Sequence, residues 1–151
     1  SKPVIVIRKL EDSPDWLDRR LTLAYLDTDY RVFSVPFPPV RIGMANPEMD
    51  RWHEERGCRS FVFITAWNPR SEPLSLRRNR WRNKQLETDL KTTAAFVLAG
   101  LGAGRDPAWP PEESFLAANL PAETAVGFGR KYGQNALVYW EKGQMPELWW
   151  L

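Results

Sequence analysis

Glu112, Glu113 and Ser114 stand together at the head of the apolar run Phe115–Ala118. A carboxyl at such a position can serve as general acid or base when its surroundings move its pKa toward neutrality. Glu113 is the candidate for that role, with Glu112 or Asp106 as a second carboxylate. The other polar residues that an ordinary core would not explain are amides and hydroxyls: Thr65, Asn68, Ser71, Asn79, Asn83, Ser114 and Gln134. Groups of this kind read the hydrogen-bonding edge of a ligand rather than break bonds. Nucleophilic catalysis has little to build on. Cys58 and His53, the single residues of their types, are not at a telling spacing, His53 is expected to be exposed or capping on a polar helix, and Ser114 lies outside any nucleophile-elbow motif. One His and one Cys cannot assemble a His/Cys zinc set, so neither metal nor cofactor is expected. Gly100, Gly102 and Gly104 lack the context of a phosphate-binding loop and read as a flexible hairpin loop.

The elements that must position these residues can be read from pattern. Pro14–Asp27 reads as a helix with Ser13 as N-cap, Pro47–Arg56 as a polar helix stopped by Gly57, and Tyr30–Val35 and Pro39–Ile42 as short strands. Ser60–Trp67 is apolar nearly throughout and suits a buried central strand. Then follow a helix over Ser75–Lys91, a strand over Thr93–Ala99, the Gly/Pro loop to Pro111, and a strand over Glu113–Ala118. A helix over Pro121–Tyr132, a strand over Asn135–Glu141 and an edge strand over Glu147–Leu151 complete the chain. This order, βαββαβ, predicts a ferredoxin-like (split βαβ) core over about residues 60–141, with an N-terminal helix and short hairpin added, in an α+β single domain spanning 1–151.

On the helix 75–91, Leu76, Leu86 and Leu90 share a face with Asn79 and Asn83. Two amides on a buried face either bond to backbone and brace a loop, or line a polar pocket. In the predicted topology Asn68, Ser71, Asn79, Asn83, Glu113, Ser114 and Gln134 meet at one sheet edge. Three kinds of function follow. The site takes a small anionic or nucleotide-like ligand near the helix N-terminus, where Arg70, Arg77 and Arg78 also stand. Alternatively, the flank formed by Arg77, Arg80, Trp81, Lys84 and Lys91 grips nucleic acid. As a third option, Glu113 makes the protein an enzyme. Trp140, Trp149 and Trp150 near the C-terminus suggest a homodimer contact or an exposed edge, against which stands ordinary packing.

Composition sets limits on all three. A hydrophobic fraction of 43% and a net charge of +2 describe an ordinary globular chain whose charge alone does not argue for nucleic acid. A single Cys fits a reducing compartment, and no apolar run is long enough for a membrane helix, so a cytoplasmic protein without membrane contact is expected.

The segments AYLDTDYRV (24–32), FITAWNPRSEPLS (63–75), RRNRWRN (77–83) around Asn79, EESF (112–115) and FGRKYGQNALVYW (128–140) resemble the bacterial domain-of-unknown-function family 3293. The likeness runs from about Ala24 to Trp140. The resemblance implies no established activity. In the family an acidic residue tends to precede the Asn at the helix start. Arg78 stands there in this chain, which makes the local charge more positive.

Overall fold

The computed structural model describes residues 2–151. Its strands are β1 (Ile5–Ile7), β2 (Thr28–Val32), β3 (Ser60–Ile64), β4 (Phe96–Gly104), β5 (Glu112–Ala118), β6 (Ala136–Glu141) and β7 (Glu147–Trp150). The helices are α1 (Arg19–Leu26), α2 (Pro47–Arg56), α3 (Leu76–Thr93) and α4 (Ala122–Lys131). All strands join one antiparallel sheet in the order β1-β7-β6-β3-β5-β4-β2.

That sheet corrects the ferredoxin-like expectation. The strands β6, β3, β5 and β4 are neighbours, but they are the middle of a seven-stranded sheet, extended by β2 beyond β4 and by β7 and β1 beyond β6. Seven twisted antiparallel strands curl, and the result is a curled half-barrel in a mixed α+β chain. Both faces are covered, whereas the expected core placed its helices on one. Phe61 and Phe63 of β3 face a layer holding Tyr25, Met49 and Trp52 from α1 and α2. Val62 and Ile64 face the opposite layer, with Leu86 and Leu90 of α3 and Ala125 of α4. The unbroken apolar run of β3 is the signature of a strand buried on both sides.

Local chemistry explains most boundaries. Asn46 caps α2 through its side chain, Pro47 opens it, and Gly57 closes it at φ 63°. The Ser75 hydroxyl accepts the Arg78 N–H at the head of α3. The α1 helix is shorter than expected: it is capped by Asp18, whose carboxylate accepts the Leu21 N–H, and Ser13 instead closes a 3-10 turn at Leu10–Asp12.

Three further expectations fail for physical reasons. Gly100–Gly104 is not a loop but the second half of β4, paired with β2 and β5. A Cβ at Gly100 would stand 2.5 Å from the Arg31 carbonyl oxygen and 2.9 Å from the Phe63 ring, so only glycine lets these strands and the ring close over it. The C-terminal strand is no edge, because β1 covers it. The three tryptophans near the C-terminus are packed within the chain: Trp140 of β6 is buried, Trp149 stacks on Tyr139 at 4.0 Å, and Trp150 meets Tyr25 edge-on at 5.8 Å. His53, expected at the surface, is fully buried and stacked on Phe61 with centroids 3.4 Å apart.

Candidate functional site

Most of the polar residues singled out by sequence do gather around the loop that follows β3, and their hydrogen bonds show what they do there. The Asn83 side chain accepts the Ala66 N–H (2.8 Å) and donates to the Glu113 carbonyl (2.7 Å), to which Thr65 also donates (2.6 Å). Asn79 accepts the Asn68 N–H (2.8 Å) and donates to the Asn68 side-chain oxygen (2.7 Å), which also accepts the Leu74 N–H (2.9 Å). Arg82 donates to the Ala66 carbonyl (2.8 Å) and to that of Tyr132. The buried amides of Asn79 and Asn83 are therefore loop braces, not ligand contacts.

The braced loop carries strain. Asn68, Arg70 and Ser71 all have positive φ, at 42°, 56° and 60°, in the left-handed region that costs non-glycine residues about 1 kcal/mol or more each. Its N–H groups are occupied: Arg70 donates to Gly133, Ser71 to Asn68 and Glu72 to Pro69. They do not form an anion-binding nest. What the strain achieves is placement, since Asn68 and Ser71 come to line a cavity on the other face of the sheet.

This cavity has a volume of about 270 Å³ and lies between α1 and the concave sheet. Strand alternation decides which side chains enter it. On β5, Glu112 and Ser114 point into the cavity, whereas Glu113 points to the α3 side, where its half-exposed carboxylate lies 3.6 Å from Arg80. Tyr30, Gly102 and Glu112 sit opposite one another across β2, β4 and β5. Gly102 contributes space where a side chain would otherwise stand, whereas a Cβ at Gly104 would press on Trp109 at 3.3 Å. Phe63, Val138 and Leu148 supply apolar wall, and Thr65 and Gln134 supply polar atoms. The exposed lining residues, Ser71, Pro73, Ala108 and Pro110, belong to two loops, so the mouth opens between them.

Of the sequence-derived candidates, then, Thr65, Asn68, Ser71, Ser114 and Gln134 line the cavity, while Asn79, Asn83 and Glu113 do not. Pattern reading missed Tyr25, Tyr30, Phe63 and Trp109, and gave Glu112 only a secondary place. Glu112 has no salt-bridge or side-chain hydrogen-bond partner among the described residues, and burial pushes its carboxyl up to about 7. Burial likewise raises the Tyr25 phenol well above its ordinary range, and the Glu112 charge adds to that effect. The surface candidates Arg77, Arg80, Trp81 and Lys84 are exposed on α3, with Arg80 paired to Glu113.

Among the described residues no three His, Cys, Asp or Glu side chains cluster to hold a metal ion, and no helix is long and apolar enough to cross a membrane. Residues 64–137 match the model of a family described as Protein of unknown function (DUF3293), the family that the sequence resembles. The matched segment begins at the last residue of β3 and reaches β6, and so includes the braced loop and the Glu112 strand. No curated protein and no solved structure shows significant similarity to the chain.

Proposed function

We propose that the chain is a small-molecule-binding protein whose ligand occupies the cavity beneath α1. The observation that carries this is Glu112, an unpaired carboxyl held in a cavity with apolar walls. A half-buried carboxyl without a protein partner, in a cavity lined by aromatic and polar side chains, fits a ligand site. The volume lies near the lower end for such sites, which fits a compact organic molecule better than a nucleotide. The anionic ligand expected from sequence is also disfavoured, because among the described residues no Lys or Arg lines the cavity.

Gly102 provides the test. A Cβ there would meet only ordinary contacts, the nearest at 3.9 Å, so Gly102→Ala fits and Gly102→Leu extends into the space. A ligand that binds only the native state raises its melting temperature. Compounds that stabilise the parent protein should fail to stabilise Gly102→Leu and should shift the amide resonances of Ser114 and Gln134. Hits that act equally on both proteins, or that perturb only residues outside the cavity, would remove the cavity from consideration.

A second reading shares the site. A carboxyl near 7 is suited to proton transfer at neutral pH, which would make Glu112, not Glu113, the acid–base group of an enzyme. For a substrate found by the screen, Glu112→Gln should then abolish turnover. Unchanged turnover in that variant excludes the acid–base role.

A further inference from the structure

Resting on that assignment of the cavity, the hydrogen-bonding state of its wall limits what it can hold. The Thr28 hydroxyl donates to the Ala24 carbonyl (2.7 Å), Tyr30 to Tyr25 (2.7 Å), Thr65 to Glu113 (2.6 Å) and Ser114 to Glu112 (2.9 Å). Each hydroxyl has a single proton, already given to a carbonyl, so these four can only accept from a ligand, and Thr65 already accepts the Trp67 N–H (3.1 Å). The Gln134 amide nitrogen is directed at the Trp67 and Tyr132 carbonyls, at 3.2 and 3.3 Å, which leaves its oxygen as the group still open to a partner. Glu112 adds a carboxyl with no protein donor. The donors that remain are the Tyr25 and Ser71 hydroxyls, the Asn68 amide nitrogen and the Trp109 indole. Acceptors therefore dominate the wall, and its charge can only be negative.

Aromatic rings make up much of the remainder. Tyr25, Tyr30, Phe63 and Trp109 all line the cavity, and ring faces attract cations through their quadrupole. A negative carboxylate, an excess of acceptors and an aromatic surround together describe a receptor for positive charge. We propose that the cavity takes a small organic cation, a protonated amine, whose ammonium group is held by Glu112 with the Gln134 oxygen and the aromatic rings assisting. The ammonium supplies the donors that the wall lacks, and its hydrocarbon part lies against Phe63, Val138 and Leu148.

Charge and proton balance give this a signature. Burial holds Glu112 at about 7, so below that pH an incoming ammonium must displace a proton from the carboxyl. Affinity then rises with pH by up to about tenfold per unit well below 7, and the rise flattens as pH passes about 7.

The experiment uses the whole chain and titrates it calorimetrically with butyl-, hexyl- and benzylammonium, each beside the alcohol and the carboxylate of the same skeleton. The expected result is binding by at least one ammonium, at least tenfold tighter than its alcohol, with no binding by its carboxylate. Its affinity should climb with pH as described and fall at least tenfold in Glu112→Gln. If that variant does not fold, the pH profile of the parent protein decides alone. Alcohols that bind as tightly as the ammonium ions, or an affinity independent of pH, overturn the cation assignment and leave the cavity as a neutral-ligand site. No binding by any probe overturns the cation assignment. The cavity itself falls only if the wider Gly102→Leu comparison fails too.

Discussion

The two faces of the sheet treat polar groups in opposite ways. On the α3/α4 face Asn79, Asn83 and Arg82 are buried or half-buried and hydrogen-bonded to backbone, each fastening a stretch of the 65–74 loop. On the α1/α2 face, among the described residues, the Glu112 carboxyl has no partner, and both ring nitrogens of His53 and the Trp140 indole nitrogen are buried without one. The first face is organised for stability, and the second tolerates unmet hydrogen-bonding capacity. The difference teaches that a conspicuous polar residue is weak evidence of a site until its partners are known. The amides that looked most functional hold the scaffold, and the less conspicuous Glu112 is left available.

The sharpest way to break this contrast is to remove a brace. Asn83→Ala should destabilise the protein by about 2–3 kcal/mol, because the buried Ala66 N–H loses its partner, while the Glu113 carbonyl keeps only the Thr65 hydroxyl. Urea denaturation measures it, and a loss below about 1 kcal/mol would mean that the α3 face is not the stabilising one.

Smaller effects should appear on the other face, where two groups tilt stability with pH in opposite senses. Burial lowers His53 from 6.5 to about 4. As pH falls through 6.5 the unfolded chain takes up a proton that the folded chain refuses, so stability is lost between about 6.5 and 4. Glu112 is raised from 4.5 to about 7. The folded chain keeps a proton that the unfolded chain releases, so its contribution is lost as pH rises between about 4.5 and 7. Each limb amounts to at most roughly 3 kcal/mol, less for Glu112 because its cavity opens to water. His53→Leu, whatever its absolute stability, should flatten the acid limb, and Glu112→Gln should flatten the other. Thermal melts across pH 4–8 would show both, and parallel curves for parent and variants would refute the asymmetry.

The smallest effect is expected at Glu113. Its carboxylate is half-exposed and its partner Arg80 is at the surface, so Glu113→Gln should change stability by no more than about 0.5 kcal/mol and leave ligand binding unaltered. A large loss of binding in that variant would reverse the order of the two neighbouring carboxylates.

Much of the framework was legible in the sequence. Pro47 and Gly57 delimit α2 to the residue, Ser75 marks the head of α3, and the apolar run of β3 announced a buried central strand. The ambiguity at β5 arises from the same burial. Phe115, Leu116, Ala117 and Ala118 are apolar on both faces, so the period of two that would tell Glu112 from Glu113 is absent from the sequence. The glycines of β4 read as a loop because glycine is depleted in strands, and their reason for being there lies in β2 and Phe63, which are distant in sequence. β1 is three residues long and paired only through the far end of the chain, so no local pattern reports it. Tyr25 and Trp109 reach the cavity from a helix and a loop, through contacts that only the folded chain makes.

The glycine strip of β4 has a consequence for how the protein meets a ligand. Space left by a truncated side chain can be refilled when neighbouring rotamers swing inward. The room at Gly102 is framed on both sides by ladders of main-chain hydrogen bonds, from β2 and from β5. To collapse, the sheet would have to break those ladders. The backbone of the hollow is thus fixed in advance, and a ligand entering it has only side chains to reorganise.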